Sequence, residues 1–161
     1  MKIVFTISKH PISRFISWGL GEPVSHTAFV FDDKFVIHSS LFGVELAWLN
    51  TFKKKSDILF DLDYDLPLEK EEEVWTSLID HFDQNSYDFG AFAYFIWRGI
   101  LKKFFKVPFP PTNKWGSSKE FLCTEVIDIL PDWLVKRSVR DYGMTSPYQL
   151  YLELVKMRKS A

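Results

Sequence analysis

A chain of 161 residues suffices for a single domain with a buried core, spanning residues 1–161. Twenty basic against 21 acidic side chains leave a net charge of −1, which excludes the strongly basic footprint of a nucleic-acid-binding protein. One cysteine, Cys123, excludes an internal disulfide, and 16 Phe with 6 Trp exceed what a small core needs, leaving some to line a groove.

Taken in chain order, Ile3, Phe5 and Ile7 alternate with small or polar neighbours and predict a first strand. The start is too short and too soon interrupted by Lys9-His10-Pro11 to serve as the apolar region of a secretory signal. Pro11 to Trp18 predicts a short helix opening at proline, and Gly19-Leu20-Gly21-Glu22-Pro23 a break. A hairpin follows: strand His26 to Phe31, turn Asp32-Asp33-Lys34, strand Phe35 to Ser39, with Gly43 marking another turn. Ile58, Phe60, Leu62 and Tyr64 alternate with Leu59, Asp61 and Asp63, the pattern of a half-exposed strand.

Leu68 to Phe82 is the clearest predicted helix, with Val74, Trp75, Leu78, Ile79 and Phe82 at helical spacing. Its glutamates sit near the positive end of the helix dipole, which is reason enough for that acidic run. Residues 83–88 read as a loop and Phe89 to Val107 as a second helix, ended by Pro108, Pro110 and Pro111. Residues 112–118 read as a polar connection. Phe121 to Leu130 contains a helix stopped by Pro131, and Pro147 to Lys159 forms a last helix with Leu150, Leu154 and Met157 on one side. The longest uncharged aromatic run, Phe89 to Trp97, is about half of the ~20 residues a membrane-spanning helix needs. The expectation is an α+β protein, soluble, in the cytoplasm or in a compartment that the sequence does not name.

The residues that could carry chemistry are Cys123 and two of the four histidines. His10, in a turn, and His81, on the polar side of a helix, read as solvated. His26 and His38 lie on the two arms of the hairpin. With a three-residue turn Phe31 faces Phe35, Ala28 faces His38 and His26 faces Ser40, so His26, Ala28 and His38 share a face. The two imidazoles are then diagonal neighbours, roughly 7–8 Å apart at the backbone. A two-residue turn would place them on opposite faces. Cys123 reads either as a small buried hydrophobe or as a nucleophile. Ser117-Ser118-Lys119-Glu120 matches a capping box that would put the cysteine inside a helix; with 119–122 extended, the helix would begin near Cys123. In that second case the helix end and a nearby protonated His26 would lower the thiol pKa below its free value of about 8.5, against burial by Phe121, Leu122 and Val126. Two His and one Cys could also hold zinc, but no fourth ligand and no paired ligand motif stands out, and no cofactor is implied.

Ser25-His26-Thr27-Ala28-Phe29-Val30, then His38, then Gly43-Val44-Glu45 resembles the N-terminal motif of circularly permuted NlpC/P60-type proteins. These are papain-like, and include the YiiX-like hydrolases and the lecithin:retinol acyltransferase-like enzymes. Tyr87-Asp88-Phe89-Gly90, Phe121-Leu122-Cys123-Thr124-Glu125-Val126 and Thr145-Ser146-Pro147-Tyr148-Gln149-Leu150 resemble the later blocks of the same pattern, in the same order. The resemblance implies a permuted papain-like fold with an antiparallel sheet against helices. It implies Cys123 as nucleophile, His26 as general base and His38 as polar third member, with Ser39 the neighbouring alternative. Papain's oxyanion-hole glutamine has no match. The Cys123 backbone N–H could serve, with Tyr87 as a hydroxyl donor or else simply a core tyrosine.

Three functions are open at this point. One is an amidase or peptidase working on a peptide or isopeptide through a thioacyl-enzyme. Another is an acyltransferase or lipase acting on a lipid ester. For this the segment 94–106 matters, because Tyr94, Trp97, Leu101 and Phe104 form a stripe beside Arg98, Lys102, Lys103 and Lys106, suited to membrane-surface contact or to core packing with a basic outer face. The third is a binding or structural module without chemistry.

Overall fold

The computed structural model describes residues 1–40, 43–80, 89–108, 130, 131, 133, 134 and 145–160. The predicted loop 83–88, the connection 112–118 and the predicted Cys123 helix apart from Leu130 lie outside the described residues. Among those described, the chain is α+β, with five strands in one antiparallel sheet and five helices.

The first strand, β1 (Lys2–Ser8), is buried on both faces through Ile3, Val4, Phe5 and Thr6, because it lies inside the sheet order β4-β3-β2-β1-β5. Helix α1 (Pro11–Leu20) opens at proline, whose missing N–H lies where a helix leaves donors unpaired in any case. It closes at Gly21, whose φ of 69° lets its N–H and that of Glu22 both donate to the Ser17 carbonyl. The hairpin β2 (His26–Phe31) and β3 (Phe35–Ser40) turns at Asp32 and Asp33, both with φ of 50°, a conformation aspartate tolerates better than most residues. Phe31 pairs with Phe35 and Phe29 with Ile37, the register of a three-residue turn.

Two elements are additional to the sequence reading. Strand β4 (Gly43–Trp48) pairs with β3, His38 opposite Glu45 and Ser40 opposite Gly43. Helix α2 (Leu49–Lys55) follows at once, its Leu49 N–H held by the Lys34 carbonyl, with Leu49 and Phe52 buried. Strand β5 (Ser56–Asp63) then pairs with β1. Its alternation differs from the expected one. Phe5 faces Phe60 but Thr6 faces Ile58, so Leu59 is an extra residue and a bulge breaks the period. Phe60, Leu62 and Tyr64 therefore pack with the main core, whereas Ile58 packs on the opposite face.

The main core lies on the face covered by α3 (Leu68–Ile79) and α5 (Pro147–Ser160): Phe5, Phe29, Ile37 and Leu62 meet Val74, Leu78, Leu150 and Leu154. A smaller cluster of Val4, Ala28, Val30 and Val36 with Leu49 and Phe52 of α2 fills the other face. Helix α4 (Phe89–Phe105) packs on α1. They approach closely at Gly99, where a Cβ would stand 2.8 Å from Leu20 Cδ2. The start of α5 is a capping box: the Gln149 N–H donates to Ser146 Oγ at 3.1 Å and the Ser146 N–H to Gln149 Oε1 at 3.4 Å, with Pro147 at the first helical position. Part of the Thr145–Leu150 block thus has a local folding role. Among the described residues no helix is long and apolar enough to cross a membrane.

Candidate functional site

The site is built where three adjacent strands place polar side chains at the margin of the smaller cluster. His26 shares the face of Ala28 and Val30 by strand alternation, and His38 shares that of Val36. The imidazoles meet: His26 Nε2 lies 3.3 Å from His38 Nδ1, with ring centroids 5.2 Å apart and planes at 88°. Phe52 roofs the pair, its ring 5.1 Å from His38 and 6.5 Å from His26. Glu45, opposite His38 on β4, brings Oε2 to 4.0 Å from His38 Nε2. His26, His38 and Glu45 thus form a row across β2, β3 and β4.

This row favours one arrangement of protons. The Glu45 carboxylate accepts and cannot donate, so its field favours the proton of His38 on Nε2. His38 Nδ1 is then an acceptor for the His26 Nε2–H, and His26 Nδ1 is left with its lone pair. A base facing a nucleophile needs that nitrogen.

Burial sets the charge. His26 falls from 6.5 to about 3, first through desolvation and then through the adjacent His38, so it is a neutral imidazole near pH 7. His38 is lowered as well. Desolvation is the main cause, and the positive charge of Lys55 adds to it, whereas Glu45 and the Ser39 backbone pull the other way. The protonated His26 expected to assist the thiol is therefore replaced by a neutral one, because burial and the adjacent His38 disfavour the charged ring.

Across β1, Thr6 pairs with His26 next to the bulge at Leu59. Thr6 is fully buried and its hydroxyl has no hydrogen-bond partner among the described residues. On the side of β1 and α1, Ser13 Oγ and Ser25 Oγ share a short hydrogen bond, which ties α1 to the residue preceding His26. Ser39, the alternative third member, is buried one residue along from His38 and so directed to the other face. Cys123 and Tyr87 lie outside the described residues. Among the described residues no group of three or more His, Cys, Asp or Glu side chains could hold a metal ion.

Glu45 entered the sequence reading only within the Gly43-Val44-Glu45 block and without a role, and Phe52 and Thr6 were not singled out. Glu45 follows once β4 is recognised, since a two-residue link between Ser40 and Gly43 puts it opposite His38. Phe52 and Thr6 carried no signal, because nothing local distinguishes them from core residues. Compared with known proteins, the chain matches no family model, no curated protein and no solved structure.

Proposed function

We propose that the protein is a cysteine-dependent hydrolase, an amidase or peptidase on a permuted papain-like fold, with Cys123 as nucleophile and His26 as base. The observation that carries this reading is the 3.3 Å contact between His26 and His38, with Glu45 biasing the proton arrangement so that His26 Nδ1 is free to accept. Cys123 Sγ attacks the carbonyl carbon of an amide or ester while its proton passes to His26 Nδ1. The tetrahedral intermediate collapses, the C–N or C–O bond breaks, and the leaving group takes that proton. Water then attacks the thioester with His26 as base, releasing the acid and restoring the thiol.

Because His26 rests neutral, the thiol is not ionised in advance by an imidazolium. A thiolate forming beside the ring supplies the opposite charge that raises the ring's proton affinity, so proton transfer accompanies attack. The test combines an activated acyl ester with mass spectrometry of the intact chain. A hydroxylamine-labile adduct on Cys123, lost in Cys123→Ser and strongly slowed in His26→Ala, supports the reading. A thiol that forms no adduct, and that alkylates only after denaturation in both wild type and His26→Ala, sinks it in favour of a binding module. The same chemistry on a lipid ester is the second reading, favoured by the exposed aromatic side chains of α4.

A further inference from the structure

Outside the histidine row, the largest unexplained feature is the pair α1 and α4. Phe15, Trp18, Trp97, Phe104 and Phe105 are between 49% and 71% exposed, far more than such side chains need to be on a packed helix pair. Three of them are continuous across the two helices: Phe15 stacks on Trp18 at 5.8 Å, and Trp18 meets Phe104 at 6.1 Å. On α4, Trp97, Leu101 and Phe104 fall on one stripe, while Gly99 faces the opposite way and seats the helix against Leu20 of α1.

Charge is segregated in the same place. The two helices carry Arg14, Arg98, Lys102 and Lys103 and no Asp or Glu, and Lys106 follows directly, although the whole chain is at −1. Lys103 reaches over the Trp18 ring, with Nζ 4.0 Å from its centroid, and also donates to the Trp18 carbonyl. The nearby carboxylate, Glu22, is half-buried and interacts with Lys102 and Ser146. The acidic clusters lie on other elements, Glu69 and Glu71 to Glu73 on α3 and Asp57, Asp61 and Asp63 on β5.

We propose that the α1–α4 face docks on the surface of an anionic lipid bilayer. Aromatic rings with a polar or apolar edge settle at the boundary of headgroups and acyl chains, and flanking Lys and Arg meet the phosphates. A second copy of the chain is a poorer occupant, because a two-fold contact would set this basic surface against itself. The Ser13–Ser25 bond ties α1 to the residue preceding His26. The proposal stands on the exposure and charge of the two helices and is independent of any chemistry at His26.

The experiment is sedimentation of the full chain with phosphatidylcholine vesicles, with and without about 30% phosphatidylserine. The expected result is binding to the anionic vesicles, weakened roughly thirtyfold when Lys102→Gln and Lys106→Gln remove two charges. Binding is also lost in Phe104→Ser with Phe105→Ser, and is unchanged by Lys53→Gln with Lys54→Gln on α2. The charge-only pair decides the matter if the serine pair fails to fold. No binding to either vesicle, equal binding to both, or equal loss with the α2 pair overturns the proposal. Self-association without lipid that the serine pair abolishes also overturns it, and assigns the face to a second copy.

Discussion

Replacing His26 by glutamine tests the electrostatic basis of the site without requiring activity. In the unfolded chain the imidazole titrates near its ordinary 6.5, and in the native protein near 3. Between those values the unfolded state binds more protons, so this group's contribution to stability is fully present above about pH 6.5 and is lost as the pH falls toward 3. At about pH 4.5 the unfolded imidazole is almost fully charged and the native one almost fully neutral. Two pH units below the unfolded value, at about 1.4 kcal/mol each, give a loss of about 2.7 kcal/mol from this single ring. Carboxylates contribute to the acid lability of both proteins and cancel in the comparison. Urea unfolding near pH 7 and about pH 4.5 is expected to show wild type losing about 2–3 kcal/mol more than His26→Gln. Parallel losses would refute the claim that His26 is held neutral by burial, and a larger loss in the variant would mean that native His26 is charged and partnered.

Other expectations follow from individual contacts. Because Glu45 raises His38, Glu45→Gln should lower the His38 titration further and reduce its Nε2–H tautomer, read from ring nitrogen shifts; an unchanged tautomer would remove Glu45 from the row. Thr6→Val removes a buried hydroxyl that has no partner among the described residues, so stability should be unchanged or up to about 1 kcal/mol higher. A loss of more than that in a urea titration would mean that the hydroxyl is bonded in solution. Ser146→Ala removes one half of the α5 capping box and should cost about 1 kcal/mol in the same assay, whereas Ser146→Asp should retain most of it.

The fold was legible where pattern and length agreed. β1, the β2–β3 hairpin, α3, α4 and α5 follow from apolar spacing, prolines and a turn rich in aspartate. Two failures have specific causes. α2 is seven residues long with two buried positions, Leu49 and Phe52, and no side-chain cap, so it has too little period to detect. It forms because the hairpin supplies the Lys34 carbonyl and an apolar face to cover. β4 does alternate, with Val44, Leu46 and Trp48 on one side, but it is an edge strand where Leu46 and Trp48 remain substantially exposed, and Gly43 at its start resembles a turn. The bulge at Leu59 was hidden because Ile58 and Phe60 look alike in sequence and differ only in the face they reach.

The site was legible to the extent that it is local. The twelve-residue separation of His26 and His38 and the turn between them suffice to put both rings on one face, since alternation and register are short-range properties. Their charge was not legible, because it depends on how far the folded chain desolvates both rings, which is a tertiary property. This matters for the chemistry. A solvated histidine rests partly protonated near neutral pH and could stabilise a thiolate before substrate arrives. A desolvated pair opposes that charge twice, once through burial and once through the neighbouring ring. The pair then favours proton acceptance only when negative charge develops beside it, so under the proposed hydrolase reading His26 would be a partner to the attacking step rather than a permanent counter-ion. The Glu45–His38 contact works in the same direction, since it favours the arrangement that leaves His26 Nδ1 available without adding a proton to the row.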